Sequence, residues 1–237
     1  NEFINSGKDI HKHVASLFFN VPVDEVTKEQ RQIAKDTVFG YQYLETEEAV
    51  AGKFNITVEE VRYRRQIIES QFPGLKPTID RLVAESQPLS EDNPTGKGYA
   101  ENIFGRRRRF PLIVKSNEEK AKKQGINAFI QPSGSDIAML GGIRVHTSFD
   151  KSVVRPLLVV HDSITTQVPD DMLNENLYIP ERIAALLEYT HFDSPVKFEV
   201  DCSIGKRWGH LEEYKLNTKI KDFYIERAKE AFKCSYI

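Results

Sequence analysis

Cysteine is nearly absent from the chain: Cys202 and Cys234 are the only two in 237 residues. Two thiols are too few for a disulfide framework, and both are expected to be reduced in a cytoplasmic setting. Long apolar runs are lacking as well. None approaches the roughly 18 residues that a spanning helix needs, which argues against a membrane role. There is no excess of either charge sign, with 33 basic against 35 acidic residues and a formal net charge of −2. Any surface for nucleic acid must therefore be local. The start, Asn1-Glu2-Phe3, has neither a Met nor a signal-peptide pattern, as expected of a processed chain or one with residues before position 1. Internal repeats and low-complexity tracts are missing too.

What is present is a composition 40% hydrophobic, enough for one good core or two small ones. The first 90 residues read as helical. Thr27 followed by Gln30, and Thr57 followed by Glu60, are capping-box signatures. They open helices over about 28–44 and about 58–72, the second ended by Pro73-Gly74. A third helix, about 76–87, runs into a polar loop from Ser90 to Gly98. Beyond it, Tyr99–Phe104 and Arg107–Pro111 read as a short hairpin around Gly105. Helices follow from about 117 and again from about 135. Leu157–Val160 and Ile164–Val168 read as strands around a His161-Asp162-Ser163 turn. A helix near 181–190, a strand near 196–204 and a last helix near 218–233 complete the chain. The order predicts an α+β fold, with a helical first part.

The helix at 28–44 carries the first chemistry. Arg31, Lys35, Phe39 and Tyr43 recur every fourth residue and form a stripe roughly 18 Å long, cations first and aromatics second. The cations lie towards the helix N-terminus, where the macrodipole also favours an anion. Such a stripe can hold a triphosphate at one end and a sugar and base at the other. It is equally the pattern of an amphipathic helix with two solvated cations and two buried rings.

Residues 7–43, GKDIHKHVASLFFNVPVDEVTKEQRQIAKDTVFGYQY, closely resemble the stretch of family A (DNA polymerase I-like) DNA polymerases, phage-type members included, that leads into the nucleotide-binding helix. The shared patterns are G-K-D-I-H, V/L-P-x-x-x-V-T, E-Q-R and R-x-x-x-K-x-x-x-F-G-x-x-Y. The resemblance implies that Arg31 and Lys35 grip the phosphates of the incoming dNTP, with His11 assisting. It puts Phe39 on the sugar and Tyr43 near the templating base. The family usually has Gly after that tyrosine; here it is Leu44, which bears on the flexibility of the helix end.

Residues 104–125 hold eight cations, Arg106 to Arg109 with Lys115, Lys120, Lys122 and Lys123, against Glu118 and Glu119. Such a run is either solvated or tracks phosphates, setting position without reading sequence. Just beyond, Asn127 and Gln131 share a helix face. This segment resembles the family's I-N-A-x-x-Q motif, and Gly105-Arg106-Arg107 resembles its hairpin. The resemblance implies that Asn127 and Gln131 hydrogen-bond the primer–template near the growing end. The minor groove, with similar acceptors at every pair, suits such a contact. Lys123 stands where the family often has Arg, keeping the charge without the fork.

Asp in a turn is commonly only turn chemistry. Following the two earlier motifs in order, however, His161-Asp162 resembles the family's V-H-D-E palm motif. This implies that Asp162 is one of two carboxylates for a pair of Mg²⁺ ions, with His161 near the primer terminus. Ser163 replaces the common Glu. The partner aspartate, in the family's D-Y-S-Q-x-E motif, is not in this sequence, nor are the thumb and any 3′–5′ exonuclease domain.

The expected organisation is therefore helical fingers over residues 1–124, then the C-terminal part of a polymerase palm over 125–237, an antiparallel sheet with helices. The resemblance reaches about residue 212, near the strand leading to Gly205 and Trp208, and leaves a helical extension from Lys215. The expected function is primer extension on a template in a bacterial or phage-infected cytoplasm, with an N-terminal half supplying the second aspartate. Two alternatives are a non-catalytic nucleic-acid-binding subunit and a single-subunit phage-type RNA polymerase. The latter shares the Arg/Lys/Tyr stripe and often His-Asp-Ser, but not I-N-A-x-x-Q.

Overall fold

The computed structural model describes residues 6–110, 112–173, 177–189, 194 and 196–232. It is α+β: helices with three two-stranded antiparallel sheets among the described residues. It divides into two compact units, Asn1–Ser133 and Gly134–Ile237. The division falls inside one long helix, as does the 124/125 boundary drawn from sequence.

The first unit begins with α1 (Ile10–Phe19), capped by the Asp9 carboxylate, which accepts the Lys12 N–H. α2 (Lys28–Gln42) opens on a complete capping box, with Thr27 and Gln30 satisfying each other's backbone N–H groups. α3 (Glu47–Phe54) and α4 (Val58–Gln71) each start on a threonine, Thr46 and Thr57, whose side chain accepts a backbone N–H three residues on. α5 (Leu75–Ser86) follows. These caps satisfy amides that a helix leaves without partners, and each contributes about 1 kcal/mol. β1 (Tyr99–Glu101) pairs with β2 (Arg107–Arg109) around Gly105, whose φ is +80°.

Two apolar clusters organise this unit. Val14 and Ala15 of α1 pack on Val26, on Ala34 and Val38 of α2, and on Ile68 of α4. Ile79 and Leu82 of α5 pack on Ile126 of α6 (Glu118–Ser148), and Tyr41, Tyr43 and Leu44 close over that cluster. α5 and α6 meet at Gly125, where an added Cβ would lie 2.6 Å from the Ser86 Cβ.

Two helices were expected, from 117 and from 135; the structure has one, with Pro132 inside it. An internal proline costs a helix roughly 3 kcal/mol. Here the Ser133 hydroxyl donates to the Phe129 carbonyl and accepts the Ile103 N–H, tying that turn to the hairpin side.

In the second unit β3 (Arg155–Val160) and β4 (Ser163–Gln167) form a hairpin with an irregularity between Pro156 and Leu158. α7 (Ile179–Glu188) lies against the end of α6, with Val145, Val154 and Ile179 at the centre of the core. The Arg144 guanidinium donates to the Leu186 and Tyr189 carbonyls at 2.9 and 2.6 Å, satisfying acceptors at the C-terminal end of α7. The strand expected at 196–204 is displaced. β5 (Cys202–Arg207) pairs with β6 (His210–Tyr214), which the sequence reading did not anticipate. Val196–Val200 alternates like a strand but joins no sheet among the described residues. α8 (Thr218–Phe232) packs on α7: Lys221 pairs at 2.7 Å with Glu188, whose side chain is largely covered, and Phe232 stacks on Tyr189. Cys202 is a free, half-buried thiol; burial, with Glu181 beside it, pushes its pKa up. Cys234, Pro111 and the ends expected at 190 and 233 lie outside the described residues. Among the described residues no helix is long and apolar enough to cross a membrane.

Candidate nucleotide and DNA site

α2 carries Arg31, Lys35, Phe39 and Tyr43 on successive turns. The packing of α1 on α2 brings His11 to this stripe, its ring 5.6 Å from that of Phe39. Phe39 lies 6.5 Å from Tyr43, and the Lys35 ammonium is 5.9 Å from the Phe39 ring centre, within cation–π range. Phe39 is 39% exposed, unlike the buried ring of an ordinary amphipathic helix. At the N-terminal end the Arg31 Nε donates to Asp9 Oδ2 at 2.6 Å.

Electrostatics fit an anion site. Burial pushes the Asp9 pKa up, but the hydrogen bonds from Arg31 and the Lys12 amide, with the guanidinium charge, outweigh it and hold it below the usual carboxylate value. Burial pushes the His11 pKa down; Asp9 opposes this, while Arg31 and Lys35 add to it. The His11 Nδ1 is buried without a hydrogen-bond partner. A buried polar nitrogen of this kind calls for a ligand or a water.

At the other end of the stripe, Phe39, Gly40 and Tyr43 line a hollow of about 350 Å³ with Asp36, Glu45, Lys53 and Lys123. The structure thus brings His11, Arg31, Lys35, Phe39 and Tyr43 together and sets Lys123 beside the last two. Asn127 is half-buried and Gln131 exposed, one turn apart on α6.

Arg106 to Arg109 are all exposed. Arg107 pairs with Glu101 across the hairpin and lies 4.8 Å from the Tyr99 ring centre; Arg108 lies 5.7 Å from that of Phe110. Lys122 is bound by Glu118 and Glu119, the two acids of this stretch.

In the second unit, His161 and Asp162 are the two central residues of the β3–β4 turn, between Val160 and Ser163. His161 has φ +56°, the left-handed conformation that two-residue hairpins require at their first central position. A non-glycine residue there costs about 1–2 kcal/mol. The Asp162 side chain is exposed and makes no hydrogen bond or ion pair among the described residues. Among the described residues no three His, Cys, Asp or Glu side chains gather to hold a metal.

Sequence reasoning missed Asp9 and Lys53. Asp9 lies inside the quoted G-K-D-I-H pattern, but its pairing with a residue 22 positions away is a tertiary fact. Lys53 sits on a short helix that the sequence reading did not mark.

A cation-then-ring helix, an arginine hairpin and a long helix bearing Lys123, Asn127 and Gln131 define a class. The family model for family A DNA polymerases matches residues 1–210, and the chain belongs to that family. It is 29% identical over 213 residues to DNA polymerase I of Mycobacterium bovis, covering 87% of this chain and 22% of that protein. It is 28% identical over 210 residues to the thermostable DNA polymerase I of Thermus aquaticus, covering 87% of this chain and 24% of that one. The fold matches the POL domain of Pol1 from M. smegmatis, solved in complex with a DNA primer-template and dNTP. The TM-score is 0.67 at 29% identity, over 79% of this chain and 32% of that one. The chain therefore spans less than a quarter of the length of these curated relatives.

Proposed function

We propose that this chain is the fingers-and-palm portion of a template-directed DNA polymerase, extending a primer by attack of its 3′-hydroxyl on the α-phosphate of a dNTP. The observation that carries this reading is the convergence of His11, Arg31, Lys35, Phe39 and Tyr43 on one face. Residues 1–124 act as the fingers, with Arg31, Lys35 and His11 on the triphosphate. Lys35 neutralises charge that develops on the leaving pyrophosphate. Phe39 packs on the sugar and Tyr43 borders the templating base. Lys123, Asn127, Gln131, Arg106 and Arg107 hold the primer–template, and residues 125–237 act as the C-terminal part of the palm.

His161 lies by the primer terminus, and the unpaired Asp162 carboxylate suits Mg²⁺, which prefers oxygen ligands. One carboxylate does not complete a site, so a second aspartate comes from the rest of the polymerase, on this polypeptide or on a partner. Two Mg²⁺ ions, when bound, supply charge neutralisation at the phosphates and acidify the primer hydroxyl. Leu157, Leu158, Val159 and Val160 are all exposed on the two-stranded β3–β4 ribbon, and such ribbons are marginal alone. That favours a further strand laid against β3. The second reading is a nucleic-acid-binding subunit without catalysis.

Primer extension with the chain plus a segment bearing D-Y-S-Q-x-E separates the two. Mg²⁺-dependent extension that disappears in Asp162→Ala is expected. Duplex binding without extension refutes the enzyme reading, and extension that survives Asp162→Ala refutes the metal-binding role of Asp162.

A further inference from the structure

Asp9 is fixed from two sides. One carboxylate oxygen accepts the Lys12 amide at 3.0 Å, capping α1, and the other accepts the Arg31 Nε–H at 2.6 Å. The bond to Arg31 uses Nε alone, and neither Nη of Arg31 has a hydrogen-bond partner among the described residues. A guanidinium held by Nε keeps its two Nη groups for a planar, bidentate grip on phosphate. The pair lies in the first turns of α1 and α2, beside the unpartnered His11 Nδ1.

We propose that Asp9 is a positioning residue for nucleotide binding: it holds Arg31 by Nε so that both Nη groups face the triphosphate. This rests on the nucleotide reading of the α2 stripe. The N-cap of one helix thereby aims the phosphate-binding side chain of the next, and a single carboxylate couples the two. An unanchored arginine would have to lose its rotamer freedom on each binding event, which weakens binding.

The test is equilibrium binding of dATP and of inorganic tripolyphosphate to the full chain, to Asp9→Asn, to Arg31→Lys and to the double variant. Asparagine caps a helix as well as aspartate does, so Asp9→Asn removes the anchor and keeps α1. Asp9→Asn is expected to weaken both probes about tenfold in the parent and to add nothing in the Arg31→Lys background, where no Nε–H exists. The ¹⁵N-detected Arg31 Nε–H is expected to exchange slowly with solvent in the parent and quickly in Asp9→Asn, a readout that a capping role alone would not move. Unchanged or tighter binding in Asp9→Asn, or an equal loss in both backgrounds, overturns the proposal. If Asp9→Asn fails to fold, Asp9→Ser takes its place with the same expectations. A parent chain that binds neither probe sinks the nucleotide reading itself, and this inference with it.

Discussion

Leu44 stands at the end of α2 with φ +58°. The chain leaves α2 through a Schellman turn, in which the Glu45 N–H donates to the Gly40 carbonyl at 2.8 Å and the Leu44 N–H to that of Tyr41 at 3.3 Å. Glycine is the natural occupant of that position, and a leucine there is strained by about 1–2 kcal/mol. Its side chain compensates by packing on the Ile79, Leu82 and Ile126 cluster. Leu44→Ala gives up most of that packing and keeps the strain, at a cost of about 2 kcal/mol. Leu44→Gly gives up the packing but releases the strain, at a net cost of about 1 kcal/mol. The larger deletion is thus expected to be the milder one, by about 4 °C in the unfolding midpoint of the first unit. Thermal and urea unfolding of the three chains measures it. A Leu44→Gly chain less stable than Leu44→Ala would refute the strain argument.

The His11 imidazole titrates below its ordinary 6.5 because burial and the neighbouring cations disfavour its charged form. At pH values just under 6.5 the unfolded state therefore binds the extra proton. The stability His11 contributes is present above about pH 6.5 and declines as pH falls towards the folded pKa; His11→Gln is expected to flatten that decline in pH-dependent unfolding. A bound triphosphate favours the protonated ring, so NMR titration with dATP is expected to raise the His11 pKa, and a fall would contradict phosphate contact. In the second unit, Lys221→Met leaves the Glu188 carboxylate, only 7% exposed, without its cation. A loss of about 3 kcal/mol is expected by urea unfolding, and a change under about 0.5 kcal/mol would mean the pair is solvated.

Much of this molecule was legible because local chemistry and tertiary packing agree. Thr27 and Gln30 mark the start of α2 within a residue, since a capping box satisfies its amides wherever the helix goes. His161-Asp162 falls at the predicted bend, between the paired Val160 and Ser163, because polar His-Asp-Ser follows the apolar run Leu157–Val160. The second capping box is half formed: Thr57 accepts the Glu60 N–H, while Glu60 turns to the buried Arg64. Where packing decides, the sequence misled. Pro132 reads as a break between helices, but the surrounding contacts carry the helix through it. The alternation at Val196–Val200 has the period of a strand, but the segment joins no sheet among the described residues, and the Val200 N–H donates instead to Glu188. At the site, the α2 stripe follows from spacing, whereas Asp9 against Arg31 and Lys53 beside Lys123 required the chain to fold back on itself.

Gly125 gives the spacing of the first unit an unusual source. Where α5 and α6 touch there is no side chain on one wall, so backbone thickness, rather than the size of an interposed group, sets their separation. Asn127 is two residues further on, and Ile126 between them belongs to the cluster on which Tyr43, the last residue of the α2 stripe, packs. A single methyl at position 125 would act as a shim, lifting the α6 row of Lys123, Asn127 and Gln131 off its bed. The gauge between the α2 stripe and the α6 row is thus written in an atom that is missing.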